Sequence, residues 1–131
     1  MTDTQRLLPC PIPTEDSKPF WEAAKDGRFL IKRCLSCDKA HWYPRPLCPF
    51  CWSQTEWQAG LGTGVIYAFS AMRRAPKPYV VAFVTLTEGP TMLSNLVGCD
   101  PDALAIGQAV RLVFRPSDGA YPVPCFEPAG A

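Results

Sequence analysis

The fold of this chain is decided by residues 34–51, which read CLSCDKAHWYPRPLCPFC. This stretch contains two Cys-x2-Cys pairs, Cys34 with Cys37 and Cys48 with Cys51, separated by ten residues. Two residues between cysteines bring both sulfurs to one side of a tight turn, which we call a knuckle. Two knuckles supply the tetrahedral thiolate set that Zn²⁺ accepts, with Zn–S distances of about 2.3 Å. The spacing therefore predicts a ribbon hairpin that binds one metal ion.

The predicted metal is structural, because all four positions are cysteine and none is left for water. Its binding free energy, on the order of 10 kcal/mol, exceeds what a module of about thirty residues gains from its own core. Iron uses the same four ligands and stays the alternative metal. His41 lies between the pairs, is not needed as a ligand and is interpreted as a surface or hairpin residue.

Composition bounds the location and the class of partner. The chain has 131 residues, a formal net charge of +1 and seven cysteines. The near-neutral charge excludes a protein held on polyanions by its bulk charge. An odd number of cysteines without a visible signal peptide favours a metal site in a reducing compartment over a disulfide framework. No apolar run approaches the roughly 20 residues of a membrane helix, so we expect a cytoplasmic protein without a membrane partner.

Breakers and composition divide the chain into four segments. The first is rich in proline, which favours an extended arm over a helix, with a disordered tail as the alternative. The segments are a proline-rich arm at 1–16, an N-terminal helix at 17–27, the zinc ribbon at 28–59 and an OB-fold domain at 60–131.

The second segment has the signals of a short helix. Ser17 is placed to cap its N-terminus and Gly27 to end it. Phe20 and Trp21 fall on one face with Ala24 at helical spacing. Two large aromatics on so short a helix need a surface to pack on, because an isolated helix of about ten residues is marginal in water. That surface is either the chain's own core or a partner protein.

The last segment is predicted to be a five-stranded OB-type barrel, which makes the chain mainly β. A helical turn at 100–104, with Asp100 as cap and Pro101 at its first position, separates the third and fourth strands. The prolines of the fifth strand favour an edge position for it. The predicted strands are 65–72, 79–87, 91–97, 110–115 and 121–127.

In this order of elements the chain resembles a family of small proteins that join a rubredoxin-like zinc ribbon to a C-terminal OB-fold and associate with acyl-CoA enzymes. The family was formerly catalogued as a domain of unknown function. The matching motifs are Phe20-Trp21, Gly27-Arg28-Phe29-Leu30, the two cysteine pairs with Pro44-Arg45-Pro46 between them, Trp57, Gly62-Thr63-Gly64-Val65-Ile66-Tyr67, Pro78-Tyr79-Val80-Val81-Ala82, Glu88-Gly89-Pro90 and Gly107-Gln108-Ala109-Val110.

The resemblance implies a non-catalytic accessory subunit of a thiolase-superfamily complex, which helps assemble the complex and shape the acyl-CoA site. The implied partner is a thiolase-like, hydroxymethylglutaryl-CoA-synthase-like or lipid-transfer-protein-like thiolase or aldolase subunit, and a homodimer stays open. Family knuckles usually place glycine after the second cysteine, where a left-handed backbone is wanted. This chain has Asp38 and Trp52 at those positions.

The segment at 72–79, MRRAPKPY, joins the first two predicted barrel strands, where OB-folds often carry binding loops. Arg73, Arg74 and Lys77 can meet the phosphates of a shared CoA or acyl-CoA ligand, or a partner's acidic surface. Tyr79 follows them, and with Phe20 and Trp21 these residues form our candidate CoA or partner contacts. The alternative for this segment is an ordinary solvated loop.

Intrinsic catalysis is not expected, because the sequence has one histidine and no nucleophile elbow, Walker loop or Rossmann glycine pattern. Two other functions stay open. Zinc ribbons and OB-folds also bind single-stranded nucleic acid, yet the third barrel strand lacks the aromatics on which bases stack. A stand-alone acyl-CoA or lipid binder would bind acyl-CoA without a partner subunit.

Overall fold

The computed structural model describes residues 7–129. Within this range the chain is mainly β, with one short helix, a three-stranded sheet and a closed barrel. The elements are α1 Lys18–Lys25, β1 Leu30–Cys34, β2 Ala40–His41, β3 Thr55–Ala59, β4 Thr63–Met72, β5 Tyr79–Leu86, β6 Thr91–Leu96, a 3-10 turn at Pro101–Ala103, β7 Ala109–Arg115 and β8 Val123–Pro128. None of the helices in the described range has the length and apolar character that crossing a bilayer requires.

Helix α1 occupies the predicted place, but its N-terminus is built differently. The Ser17 side chain makes no capping hydrogen bond to the helix. Its hydroxyl instead accepts a hydrogen bond from the backbone N–H of Thr14 at 3.0 Å, and the residue is fully buried. The capping role predicted for this side chain is therefore wrong. The helix ends as predicted, because Gly27 adopts the left-handed conformation (φ +76°) that favours glycine.

Strands β2, β1 and β3 form an antiparallel sheet in that order. Lys32 in the central strand lies opposite His41 on one side and Trp57 on the other. The sheet carries the first knuckle at the end of β1, and the second knuckle lies in the long connection between β2 and β3.

The remaining strands close into a barrel in the order β4-β5-β6-β8-β7, with β7 pairing back to β4, as expected for an OB-fold. A register shift between Ile66 and Ala68 makes Tyr67 the extra residue of a β-bulge. The predicted turn before β7 is present, and the Asp100 carboxylate accepts a hydrogen bond from the Asp102 N–H at 3.0 Å.

The prediction that the last strand lies at a sheet edge is wrong, because β8 lies between β6 and β7. Strand β6 pairs with β8 at a single position, Leu96 with Phe126, which is not a proline. The Ser94 hydroxyl donates to the Pro124 carbonyl at 2.9 Å, and the Val97 N–H donates to the Phe126 carbonyl at 2.8 Å. Proline lacks an N–H but keeps its carbonyl, so Pro124 can still accept the hydrogen bond from Ser94.

One hydrophobic core joins the helix, the three-stranded sheet and the barrel. Phe20 is fully buried within it, with ring centroids 4.8 Å from Trp21, 6.0 Å from Phe29 and 4.8 Å from Trp42. Trp21 is also buried, and its indole N–H donates to the Tyr43 hydroxyl at 2.9 Å. Both aromatics pack against the chain's own core, which is one of the two surfaces expected for them. Neither ring is therefore exposed to a partner.

The described part of the N-terminal arm lies against the loop between β7 and β8. Leu8 forms a parallel bridge with Ser117, and the Cys10 N–H donates to the Asp118 carboxylate at 2.8 Å. These contacts agree with an extended arm rather than a helix. The first six residues of the predicted arm lie outside the described residues.

Candidate metal centre and barrel loop

The four predicted ligand sulfurs lie close together between the two knuckles. All four Sγ atoms lie within 4.8 Å of one another. The Sγ atoms of Cys34 and Cys51 are 3.4 Å apart, and those of Cys37 and Cys48 are 3.7 Å apart. A regular tetrahedron with metal–sulfur distances of about 2.3 Å has edges of about 3.8 Å. The donor set therefore fits one zinc-sized ion with four sulfur ligands.

Backbone N–H groups point at the buried sulfurs. Those of Ser36 and Cys37 approach Cys34 Sγ at 3.2 and 3.3 Å, and that of Phe50 approaches Cys48 Sγ at 3.4 Å. Such donors stabilise a thiolate and fix its direction, as outer hydrogen bonds do for metal ligands in general. They are supplied by the turns that the two-residue spacing produces.

The thiols differ in their tendency to ionise. Hydrogen bonds from the hydroxyl and the N–H of Ser53 lower the pKa of Cys51 to about 6. A hydrogen bond with the backbone of Lys39 favours ionisation of Cys37, but burial and the neighbouring sulfurs outweigh it and raise its pKa to about 11. Sulfurs this close repel one another as anions, so four thiolates need a cation among them.

Both residues that stand where the family places glycine adopt the left-handed backbone. Asp38 has φ +64° and Trp52 has φ +68°. The Asp38 carbonyl accepts a hydrogen bond from the Arg33 guanidinium at 2.5 Å, and the Trp52 N–H donates to the Cys48 carbonyl at 2.9 Å. The Trp52 side chain is 77% exposed. The second knuckle thus keeps the expected shape without glycine.

His41 lies outside this group of sulfurs. It is buried in β2, and its Nε2 accepts a hydrogen bond from the Arg45 N–H at 3.1 Å. Burial lowers its pKa, and the charges of Lys32 and Arg45 lower it further. Both effects favour the neutral imidazole. The surface alternative for His41 is wrong because the residue is buried, whereas the hairpin alternative agrees with the antiparallel pairing of β2 with β1.

The predicted binding loop connects β4 to β5 at one end of the barrel. Arg73, Arg74 and Lys77 are exposed, and Tyr79 is half-buried as the first residue of β5. Arg73 forms an ion pair with Asp102 of the 3-10 turn, with Nη2 2.6 Å from Oδ1. Sequence reasoning missed this partner, because 29 positions separate the two residues and no motif links them. The structure brings the three cations to one hairpin end.

The chain is similar to several known proteins. Two family models match it: the rubredoxin-like zinc ribbon domain of ChsH2 at residues 21–57 and the C-terminal OB-fold domain of ChsH2 at residues 57–115. A DUF35 domain-containing scaffold protein of Methanocaldococcus jannaschii is 35% identical over 104 residues, which cover 72% of this chain and 74% of that protein.

A probable enoyl-CoA hydratase alpha subunit of Thermomonospora curvata is 38% identical over 130 residues. The match covers 94% of this chain but only 40% of that protein, so this chain spans about two fifths of that relative. Among solved structures, a chain of an Ltp2-ChsH2(DUF35) aldolase superposes with a TM-score of 0.82 at 37% identity, covering 92% of this chain and 99% of that one. A DUF35 protein of unknown function from Sulfolobus solfataricus shares the fold at 10% identity, with a TM-score of 0.65.

Proposed function

The chain belongs to the DUF35 family, whose ChsH2-type members join a rubredoxin-like zinc ribbon to a C-terminal OB-fold, and on that premise we propose that it is a non-catalytic accessory subunit of a thiolase-superfamily, acyl-CoA-processing complex. In that role it helps assemble the complex and shape the acyl-CoA site. The observation that best supports this proposal is the similarity of almost the whole chain to the DUF35 chain of an aldolase that also contains Ltp2.

The metal centre supports a structural role. Four cysteines fill a tetrahedral set, so no position is left for a substrate or a reactive water. We propose Zn²⁺ as the metal, with iron as the alternative, and Cys34, Cys37, Cys48 and Cys51 as its ligands. When bound, the ion supplies folding free energy to the ribbon. The knuckles hold the sulfurs in place. The sheet of β1, β2 and β3 connects the knuckles to the hydrophobic core that the ribbon shares with the barrel.

We do not propose for this chain the activity that the hydratase relatives are named for. The hydratase alpha subunits are much longer, and this chain covers 40% and 35% of the two that match. Three matching relatives of similar length are named scaffold proteins. The only histidine in the sequence is buried and already hydrogen-bonded. We therefore assign the chemistry to the partner subunit.

The barrel loop is our candidate for contact with a shared CoA. The loop presents Arg73, Arg74 and Lys77 together, and guanidinium groups bind phosphate with two parallel hydrogen bonds. Arg73 also pairs with Asp102, and we expect Arg73, Arg74 and Lys77 together to meet the CoA phosphates. Two prolines in the loop reduce the conformational entropy that binding would cost. We also place the complex in the cytoplasm, because a reducing compartment keeps seven cysteines as thiols or metal ligands.

The test is co-expression with the Ltp2 subunit of the solved aldolase, followed by size-exclusion chromatography and elemental analysis. We expect co-elution and one equivalent of zinc per chain. Separate elution at micromolar concentrations contradicts the accessory role. Calorimetry with acyl-CoA then separates the remaining functions, since binding by the isolated chain supports a stand-alone binder and binding by the complex alone supports a shared ligand. Salt-dependent retention on single-stranded DNA would instead support nucleic-acid binding.

A further inference from the structure

One face of the barrel carries no charge. Strands β4, β5 and β6 are adjacent, and buried and exposed residues alternate along each of them, with a shift at the bulge in β4. Every outward-facing position on the three strands is an uncharged residue. The face includes Val65 and Tyr67 of β4, Phe83 of β5 and Leu93 of β6, which are 41%, 64%, 46% and 61% exposed. We call this the outer face.

The large apolar side chains of the outer face are contiguous. Phe83 lies directly opposite Leu93 in the β5–β6 pairing. Across β4 and β5, the bulge places Tyr67 and Ala68 together opposite Phe83. The row of Tyr67, Phe83 and Leu93 thus crosses three strands about 4.8 Å apart, within reach of side-chain contact between neighbours.

A solvated face of an antiparallel sheet is normally polar, with charged residues among its side chains. This chain has 25 charged residues, 13 basic and 12 acidic, and none of those within residues 7–129 lies on the outer face. Threonines at its margin hydrogen-bond to each other, Thr63 to Thr87 at 2.7 Å and Thr85 to Thr91 at 2.9 Å. The largest contiguous apolar patch on a protein surface is often functional.

We propose that the outer face is the docking surface for the partner subunit, and that the partner presents an uncharged apolar surface to it, with an anionic margin at the β4–β5 loop. This inference rests on the proposed function. A partner charge buried against the face would lose its hydration without gaining a counter-ion, so the matching surface is uncharged. At the end of the face, Arg74 and Lys77 supply positive charge, and the phosphates of a CoA bound at the partner's margin would be the anionic groups that complement it.

The size of the face favours a heterologous partner over a second copy. Three strands about 4.8 Å apart, with about six residues each at about 3.3 Å, give a footprint of roughly 300 Å². A stable interface needs about 800 Å² of accessible surface from each partner. Two copies in contact through this face alone would bury too little. The remaining area, about 500 Å² per partner, must come from the surface around the face, and a partner larger than this chain can reach more of that surface.

Nucleic acid does not fit this surface. Single strands are bound by aromatic platforms combined with a cationic groove that follows the phosphates. The outer face has the aromatics Tyr67, Tyr79 and Phe83, but the three strands themselves carry no cation. Phosphates laid along it would therefore lie against apolar side chains.

The test introduces a charge into the face and measures affinity for the Ltp2 subunit of the solved aldolase by biolayer interferometry. Leu93→Lys is expected to raise the Kd at least tenfold, because the new charge is buried without a counter-ion in the complex. Its side chain is mostly exposed in the isolated chain, so Tm by circular dichroism should stay unchanged. The matched control is Ile106→Lys, since Ile106 is 72% exposed and lies outside the three strands. Its Kd should stay within twofold of the unsubstituted chain.

The outcomes separate the inference from its premise. If the unsubstituted chain binds and Leu93→Lys binds equally well, the outer face is not the interface and the proposed function stands. If the unsubstituted chain does not bind, the proposed function and this inference both fail. A dimer of the isolated chain in light scattering that Leu93→Lys dissociates would assign the face to a second copy and overturn the heterologous partner.

Discussion

Replacing Phe20 with alanine should destabilise the whole protein, because this ring joins the helix to the ribbon aromatics. Phe20 is 0% exposed and has three aromatic neighbours, with ring centroids 4.8 to 6.0 Å away. Removing a fully buried phenylalanine ring costs about 3–5 kcal/mol of the free energy of unfolding. For a chain of 131 residues, that loss lowers Tm by about 10–18 °C.

The assay is thermal unfolding followed by circular dichroism, with zinc at the same excess for each variant so that metal binding contributes equally. Phe50→Ala is the matched control, because Phe50 lies on the second knuckle and is 57% exposed. It contacts Lys39, whose Nζ lies 5.0 Å from the ring centroid, so a loss of less than about 1 kcal/mol is expected. Equal shifts for the two variants would refute the argument, because Phe20 would then not be central to the core.

Three further predictions concern the metal, the helix and the barrel. Removal of the metal with a strong chelator should unfold the ribbon, seen as loss of dispersed ribbon signals in NMR, and zinc should restore them. A hydrogen bond from the Tyr121 hydroxyl lowers the pKa of Glu22 in the folded protein. This hydrogen bond therefore stabilises the fold at pH values above the pKa of the unfolded carboxyl, and the stabilisation is lost as pH falls through the folded pKa. Tyr121→Phe should therefore raise the pKa of Glu22 in an NMR titration and reduce the loss of stability in acid. Gly64→Ala should cost about 1–3 kcal/mol in denaturant unfolding, since its Cβ would lie 2.5 Å from the Thr85 carbonyl oxygen, whereas Ser70→Ala on the outer face should cost little.

Features set by short stretches of sequence could be predicted. The two-residue spacing within each cysteine pair is enough to build a knuckle, and the structure brings the four sulfurs together. The strands of the barrel follow from their composition and turn residues, and their observed bounds differ from the predicted ones by no more than two residues. The Asp100 cap is equally local, because the carboxylate reaches an N–H two residues away.

Features that depend on distant residues could not be predicted. The prolines of β8 indicate an edge strand, and only the structure shows that β6 pairs with β8 at Phe126 and contacts Pro124 through its carbonyl. His41 is buried by packing that no spacing encodes. The outer face was also missed, because its uncharged character appears only when the exposed positions of three strands are placed side by side.

The second knuckle shows how local preference and metal chemistry are balanced. A left-handed backbone costs a residue with a Cβ about 1–2 kcal/mol, and Trp52 gains little from packing because its side chain is mostly exposed. The turn is nevertheless closed by the hydrogen bond from its N–H to the Cys48 carbonyl. Binding of a metal by four thiolates is worth on the order of 10 kcal/mol, which exceeds the strain severalfold. Glycine would remove the strain at no cost to the ligands, but a bound metal would outweigh that strain, so the position can keep a large exposed aromatic.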